Sequence, residues 1–244
     1  MWMGWIFMTS GRNVNSVSKE WGTPRKYVDA VKEVFGGEID LDPCSNEFSI
    51  VNAKIEYSIP KQDGLKDSWD ERRIYVNPPY GKDKERGTDI SNWLHRCAGA
   101  NETHKSDVIA LLPTAANTNA WKQNIWGKAR MICFLYDTRL KFLKNGKEDP
   151  KGSPIQNCIV YWGTRYSSNF KNVFLKYGAV VDISNLQNVE SIGEVPNLSM
   201  SEQAIMMEKD KIKKMKKTDL ISLANERGIS CDGTKKDLIE RLLD

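Results

Sequence analysis

The chain has 244 residues and a formal net charge of +4, with 40% hydrophobic and 28% charged residues. This length accommodates one α/β domain of about 150–200 residues and a small appendage, and the composition excludes a disordered or fibrous chain. Five scattered cysteines without a Cys-x-x-Cys pair favour a reducing compartment and argue against a disulfide framework or a zinc ribbon. Because His95 and His104 are the only histidines, we expect no histidine-based metal site.

The first 20 residues are expected to be a leader outside the folded domain. Residues 1–8 are apolar, but they are shorter than the ~20 residues that span a bilayer. They also lack the basic residues and the small-residue cleavage site of a secretory signal. We therefore expect no membrane association, and the ordered chain is predicted to begin at Trp21.

The first predicted helix covers residues 25–35. Thr23 is a residue type that caps helices with its side chain, and Pro24 suits the first helical position. Apolar residues recur on one face of this segment until Gly36-Gly37 end it. A well-capped amphipathic helix accounts for this pattern without any function.

A short strand next runs into the acidic turn Asp42-Pro43-Cys44. In α/β sheets, an acidic group at the end of an early strand holds polar parts of a nucleoside or amino-acid ligand, although a plain Asp-Pro turn has the same sequence. The chain to Asp63 leaves room only for a reduced second strand at residues 53–57. We therefore expect an abbreviated ligand-binding half of the sheet.

The most informative stretch is Asn77-Pro78-Pro79-Tyr80, which follows a β-branched and aromatic strand at residues 73–76. The two prolines restrict the backbone, so the corner after this strand is stiff. The Asn77 side-chain oxygen and the Pro78 carbonyl can both accept hydrogen bonds from one planar amino group, and the Tyr80 ring offers a stacking face for a heterocycle. The same four residues also fit a plain proline-rich turn.

Two polar segments near this corner are candidates for contacts with an anionic partner. Residues 81–88 are polar and bounded by glycine, and we interpret them as a lid. Residues 137–152 form a long basic loop after a predicted strand, and long loops in compact domains are usually functional or disordered. Phosphate contacts are our first choice for this loop, and a merely solvated loop is the alternative.

The remaining predicted elements alternate between helix and strand. They are a helix at residues 90–98, a strand at 108–113, a helix marked by Thr118, Trp121 and Trp126, strands at 131–135 and 155–162, a helix at 168–177 and an extra strand at 179–183. This alternation predicts an α/β fold.

The chain changes character after residue 184. Residues 185–208 are polar and aperiodic, and we assign them to a linker. Six lysines and one aspartate lie in residues 209–217, where the net positive charge is concentrated. Two short amphipathic helices capped by Thr218 and Thr234 follow, so residues 209–244 are predicted to form a small helical unit. This unit either binds DNA, as the neighbouring lysines favour, or docks on the main domain or dimerises.

Taken together, these motifs resemble a known family. The order Trp-Gly-Thr-Pro, Asp-x-Asp-Pro-Cys-Ser, Asp-Gly-Leu and Asn-Pro-Pro-Tyr-Gly, within residues 21–163, resembles the phage-type, Dam-like DNA N6-adenine methyltransferases. The C-terminal pattern resembles the SAP helix-extended-helix module that binds DNA. The resemblance implies a Rossmann-like S-adenosylmethionine-dependent methyltransferase sheet in residues 21–184, with an abbreviated cofactor half, followed by a small SAP-like module.

The resemblance also implies roles for individual residues. Direct methyl transfer to N6 of a flipped adenine in double-stranded DNA would use Asn77, Pro78, Pro79 and Tyr80. S-adenosylmethionine would be held by Trp21, Thr23, Pro24, Asp42, Pro43, Cys44, Asp63, Leu65 and Asn77, although Asp63-Gly64 is also typical of a plain turn. The expected DNA contacts are Lys82, Arg86, Arg139, Lys141, Lys144, Lys213, Lys214, Lys216, Lys217, Lys235 and Lys236.

Two alternatives stay open at this point. The same corner serves methylation of cytosine N4 and of other amino groups. In addition, the glycines that usually follow the Asp-Pro motif are replaced by Cys44-Ser45-Asn46, so a non-catalytic DNA-binding protein with a decayed cofactor site also fits. The expected setting is the cytoplasm of a bacterial host, with the chain encoded by a phage or prophage.

Overall fold

The computed structural model describes residues 21–137, 139–188, 212 and 215–243. The chain divides into two compact units, Met1–Ile192 and Gly193–Asp244. The predicted leader at residues 1–20 and most of the predicted linker at 185–208 lie outside the described residues. The domain boundaries derived from the sequence therefore stay predictions.

Seven strands of the first unit form one mixed sheet within the described residues. The strands of this unit are β1 (Trp21–Gly22), β2 (Leu41–Asp42), β3 (Ile55–Glu56), β4 (Arg73–Val76), β5 (Asp107–Pro113), β6 (Met131–Leu135), β7 (Leu143–Lys144), β8 (Lys147–Glu148), β9 (Asn157–Trp162) and β10 (Gly178–Asp182). The order across the large sheet is β10-β6-β9-β5-β4-β2-β3. Strands β3, β2, β4 and β5 are parallel, whereas β9 is antiparallel to both β5 and β6. Strand β6 therefore runs in the same direction as β5, and the predicted α/β class is confirmed.

Helices cover both faces of this sheet. They are α1 (Arg25–Val34), α2 (Ile90–His104), α3 (Asn119–Asn124) and α4 (Ser167–Phe174). Successive strand residues point to opposite faces, so Tyr75 of β4 packs in one core with α1 and α4, while its neighbours Ile74 and Val76 pack in the other core with α2 and α3. Burial on both faces explains why β5 is almost continuously apolar.

The start of α1 differs from the prediction. The helix begins at Arg25, its cap residue is Pro24, and no side chain caps it. The Thr23 hydroxyl lies 2.6 Å from the Tyr75 hydroxyl in the interior instead. The predicted capping role of Thr23 is therefore wrong, because its hydroxyl is hydrogen-bonded to the buried Tyr75 hydroxyl and does not bond to the helix.

The predicted basic loop at residues 137–152 contains a β-hairpin. Strands β7 and β8 pair around Asn145-Gly146, whose φ angles of 50° and 74° suit a two-residue hairpin turn. Strand β1 pairs with β7, and the three strands form a small second sheet in the order β1-β7-β8. The segment is thus built around a folded hairpin rather than being an irregular loop.

The second unit contains two helices among its described residues, α5 (Lys217–Glu226) and α6 (Lys235–Leu243). Their apolar faces meet in a small core that includes Leu220 and Leu238. Thr234 caps α6 as predicted, since its hydroxyl accepts from the Asp237 amide and its own amide donates to the Asp237 carboxylate. The predicted cap at Thr218 is wrong, because α5 begins at Lys217, which places Thr218 inside the helix, and the helix has no side-chain cap.

No helix in the described part of the chain is long and apolar enough to cross a bilayer.

A buried carboxylate, Asp107, anchors the end of the sheet at which β5 begins. Asp107 accepts hydrogen bonds from the Tyr161 hydroxyl at 2.6 Å and from the Arg165 guanidinium at 2.7 Å. Gly163 approaches this group so closely that a Cβ atom there would lie 2.1 Å from the carboxylate oxygen, and its φ is +141°. A glycine is therefore required at this position.

We expect Gly163→Ala to lower the free energy of unfolding by roughly 2–4 kcal/mol, because the methyl group displaces a buried, hydrogen-bonded carboxylate. Urea titration of the purified variant measures this loss. Gly99→Ala is the control: Gly99 lies inside α2 with open space around its would-be Cβ, so alanine should leave stability unchanged or raise it by up to ~1 kcal/mol. Equal stabilities of the two variants would contradict the role of Asp107.

Candidate active site

The carboxyl ends of the parallel strands converge on one edge of the large sheet. Strand β2 ends at Asp42, β4 at Val76 and β6 at Leu135, while the antiparallel β9 begins at the same edge with Asn157. A cavity of about 120 Å³ opens there. Its lining residues are Trp21, Cys44, Asn46, Asn77, Pro78, Pro79, Tyr80, Gly81, Phe142, Asp149, Gly152, Ser153, Pro154 and Ile155. The predicted corner after β4 is thus part of a cavity wall, as expected for ligand sites in such sheets.

The Asn77 side chain has a defined orientation. Its Nδ2 atom donates a hydrogen bond of 2.7 Å to the Trp21 carbonyl oxygen. A carbonyl can only accept, so the amide must turn its NH2 group toward Trp21. The amide oxygen of Asn77 is consequently the end that remains to accept a hydrogen bond from another group.

The Tyr80 side chain is also held at its hydroxyl. The hydroxyl donates to the Leu111 carbonyl at 3.2 Å and accepts from Asn157 Nδ2 at 3.1 Å. Its ring contacts Phe142 edge-on, with centroids 5.8 Å apart and planes at 83°. Burial raises the pKa of Tyr80 well above its ordinary value, so the group acts as a neutral, fixed ring.

Asp42 is a buried carboxylate behind the cavity, with 4% of its surface exposed. It accepts a hydrogen bond of 3.1 Å from the Cys44 amide. Burial, with a smaller contribution from the nearby Glu56 charge, raises the pKa of Asp42 to about 7. Burial likewise raises the pKa of the Cys44 thiol, which disfavours a thiolate nucleophile in this cavity.

The Asp63-Gly64-Leu65 turn packs against the Asp42 loop. A Cβ atom on Gly64 would lie 1.9 Å from the Pro43 carbonyl oxygen, so only glycine fits there. The Asp63 carboxylate accepts hydrogen bonds from the Leu65 amide at 3.0 Å and from the Arg86 guanidinium at 2.5 Å. Asp63, predicted to bind a cofactor, and Arg86, predicted to bind DNA, are thus paired with each other.

The predicted cofactor residues do not all line one cavity. Trp21, Cys44 and Asn77 face the cavity described above. Leu65 lines a second cleft of about 500 Å³, together with Lys66, Glu85, Arg86, Thr88, Asn92, His95 and Arg96. Thr23, Pro24, Asp42 and Pro43 are buried beneath these surfaces.

Comparison with known proteins identifies the family. The model of the DNA N-6-adenine-methyltransferase (Dam) family matches residues 11–192, which is most of the chain. The chain belongs to the Dam family of DNA N-6-adenine-methyltransferases. It methylates N6 of adenine in DNA, which selects adenine over the cytosine alternative.

Two further comparisons agree with this family. A DNA N-6-adenine-methyltransferase of Haemophilus phage HP1 (strain HP1c1) is 25% identical over 157 residues, which cover 63% of this chain and 84% of the relative. The SAP domain model matches residues 211–244, so DNA is the partner of this methyltransferase. No solved structure matches the chain.

The predicted DNA contacts of the methyltransferase are mostly exposed. Lys82, Arg139, Lys141 and Lys144 are exposed in the first unit, and Lys216, Lys217, Lys235 and Lys236 are exposed in the second. Arg86 is partly buried in its ion pair with Asp63. Lys213 and Lys214 lie outside the described residues.

Sequence reasoning missed several residues of the site. Phe142, Asp149 and Gly152 of the cavity wall lie in the predicted basic loop at residues 137–152, and residues 153–155 of the wall directly follow it. Glu56 was missed as well. It ends β3 directly beside Asp42 in the parallel pair, and it binds the Ala53 amide and the Ser45 hydroxyl.

We expect Asp42→Asn to stabilise the fold at neutral and alkaline pH. The pKa of Asp42 rises from about 3.9 in the unfolded chain to about 7 in the folded protein. The folded state therefore loses stability as the pH rises from about 4 to 7. Asparagine should raise the unfolding free energy by up to roughly 4 kcal/mol above pH 7, at ~1.4 kcal/mol per pKa unit, and change little near pH 4.

Urea titrations at pH 4 and pH 8 measure this difference, and Asp40→Asn provides the opposite control. Hydrogen bonds from Arg73 lower the pKa of Asp40, so that substitution should destabilise the protein at pH 8. Destabilisation by Asp42→Asn at pH 8 would contradict the assignment of a raised pKa.

Proposed function

We propose that this DNA methyltransferase uses S-adenosylmethionine as the methyl donor and acts on an adenine flipped out of double-stranded DNA. The observation that carries the proposal is the orientation of the Asn77 amide, whose oxygen is left as an acceptor beside Pro78 in a cavity. The strand order supports a Rossmann-like methyltransferase sheet with an abbreviated cofactor half, since β2 and β3 have only two residues each.

The carboxylates at the ends of β2 and β3 suit the polar parts of this cofactor. We assign Asp42 to its ammonium group, because a cation would offset the cost of a buried carboxylate with a raised pKa. We assign Glu56 to the ribose hydroxyls, because it lies beside Asp42 on the neighbouring parallel strand. We assign Asp63 to the amino group of the cofactor's own adenine. Its Oδ2 atom would accept that hydrogen bond, since Oδ1 binds Arg86. The cofactor supplies a methyl group on a positively charged sulfur.

The corner after β4 is suited to the target amino group. The lone pair of adenine N6 is delocalised into the ring, so the amine is a weak nucleophile. Two acceptors, the Asn77 side-chain oxygen and the Pro78 carbonyl, would bind both amino hydrogens and draw the lone pair toward nitrogen. Holding the amine and the donor in line could supply about 7–11 kcal/mol of the barrier.

Tyr80 is suited to receive the flipped base. Extruding a base from the duplex costs a few kcal/mol, and stacking on an aromatic ring returns roughly 1–3 kcal/mol. The Tyr80 hydroxyl is held by Leu111 and Asn157, so its ring need not be ordered when the base arrives. Pro79 keeps the backbone between this ring and Pro78 restricted.

The exposed lysines on both units suit DNA phosphates. In the first unit, Lys141 and Lys144 flank the cavity residue Phe142 and lie on or beside the hairpin. We assign the C-terminal unit to general DNA affinity through its lysines. Action on DNA, together with five free cysteines, favours the cytoplasm of a bacterial host as the setting.

We expect Asn77→Ala to reduce methylation of DNA by at least about a hundredfold, because it removes a preorganised acceptor for the reacting amine. Tyr80→Ala should reduce it by about 5- to 150-fold, because it removes the roughly 1–3 kcal/mol of base stacking. Transfer of a labelled methyl group to DNA measures the rate. A native circular dichroism spectrum and cooperative unfolding show that the fold of each variant is intact, and Lys122→Ala, on the exposed face of α3, is the activity control. Full turnover by either variant would refute the proposed roles.

Deleting residues 209–244 should weaken DNA binding and leave the chemistry largely intact. The deleted segment holds eight of the chain's lysines and two arginines, and each lost phosphate contact reduces the slope of log affinity against log salt by about 0.9. Fluorescence anisotropy at several salt concentrations measures the slope, and turnover at saturating DNA measures the chemistry. An unchanged DNA affinity and an unchanged salt slope would contradict the proposed DNA-binding role of this unit.

A further inference from the structure

The active-site corner is held by two different sheets. The backbone of Asn77 follows β4 of the large sheet, but its side chain is bonded to Trp21, which belongs to the small sheet. The orientation of the amide therefore depends on where the small sheet places the Trp21 carbonyl.

Strand β1 is too short to hold that carbonyl by itself. It has two residues, and β7 is its strand partner among the described residues, with Trp21 opposite Lys144 and Gly22 opposite Leu143. The two backbones approach closely, since a Cβ on Gly22 would lie 3.2 Å from the Leu143 Cβ. The position of Trp21 therefore depends on the hairpin, in addition to the contact of Thr23 with Tyr75 two residues further along the chain.

The same hairpin segment also contacts Tyr80, the second residue proposed to bind the target base. Phe142 directly precedes β7, and its ring lies edge-on to Trp21 at 6.3 Å and edge-on to Tyr80 at 5.8 Å. Phe142 is 6% exposed, so its packing is that of a core residue. One buried ring thus connects the residue that orients Asn77 with the ring of Tyr80.

We propose that the β7–β8 hairpin is the positioning element of the active site. Through β1 it fixes the Asn77 amide, and through Phe142 it fixes the Tyr80 ring. The inference rests on the proposed roles of Asn77 and Tyr80. It adds that a segment more than 60 residues from them in the sequence sets their geometry, and that loosening it should lower turnover without a matching loss of cofactor affinity.

The turn of the hairpin offers a clean way to loosen it. Gly146 has a φ of +74°, and a Cβ there would meet no atom within 4 Å. Gly146→Val therefore acts through backbone strain, because a β-branched residue is strongly disfavoured at positive φ. Gly36 follows α1, has a φ of +79° and equally open surroundings, so Gly36→Val imposes the same strain away from the hairpin.

We expect Gly146→Val in the full chain to lower kcat by at least about tenfold, and to weaken S-adenosylmethionine binding by a smaller factor, because Asp42, Glu56 and Asp63 lie outside the hairpin. Gly36→Val should show a similar loss of thermal stability and a kcat like that of the wild type. Methyl transfer at saturating DNA and cofactor measures kcat, and calorimetry measures the Kd. A Gly146→Val enzyme with wild-type kcat, or a Gly36→Val enzyme with an equal loss of kcat, would overturn the inference.

A second pair of variants covers the case in which Gly146→Val does not fold. Phe142→Leu keeps an apolar side chain but removes the ring that contacts Trp21 and Tyr80. Phe174→Leu removes a fully buried ring from the core beneath α4. Only Phe142→Leu should lower kcat at matched stability, and equal kcat values would refute the role of the hairpin. Absence of methyl transfer from S-adenosylmethionine to DNA by the wild-type enzyme would instead refute the proposed function.

Discussion

The hydrogen bond from the Asn77 amide to the Trp21 carbonyl is the contact on which the rest of the site depends. It decides which end of the amide faces the cavity, because a carbonyl can accept but not donate. With the NH2 group bound, the oxygen is oriented before any substrate arrives. Preorganised polar groups of this kind contribute most to catalysis, since they need no rearrangement during the reaction.

Burial keeps two titratable groups of the cavity wall neutral. Cys44 and Tyr80 stay protonated because burial raises the pKa of each. Asp42, which is buried behind the cavity, differs from them, since its pKa of about 7 leaves it partly charged at neutral pH. A buried carboxylate lowers the stability of the free protein, and such shifted groups are typical of functional sites. In our proposal, the ammonium group of the cofactor is the cation that binds Asp42 and offsets this cost.

The large sheet was predictable from the sequence because each strand is locally distinct. The apolar runs that became β4, β5, β6 and β9 are bounded by prolines, glycines or charged residues, and their positions were correct within two residues. The corner after β4 was predictable for the same reason, since the restriction imposed by two prolines is a local property. The family resemblance drawn from these motifs is confirmed by the match to the Dam family.

The small sheet and its consequences were not predictable in the same way. The hairpin strands have two residues each and lie in a charged stretch without alternation, so the Asn145-Gly146 turn was the only signal. The partner of Thr23 is Tyr75, 52 positions away, and capping rules consider only neighbours in the sequence. The pairing of Asp63 with Arg86 is likewise a tertiary contact. In each case the outcome depends on which distant group is nearest after folding.

The most direct test of this account is a crystal structure of the enzyme with a DNA duplex and a non-reactive analogue of S-adenosylmethionine. The account predicts an adenine outside the duplex, with its N6 atom within about 3.2 Å of both the Asn77 side-chain oxygen and the Pro78 carbonyl, and with Asn77 Nδ2 still bound to Trp21. An adenine amino group held by other residues, or an Asn77 amide turned away from Trp21 in the complex, would contradict it.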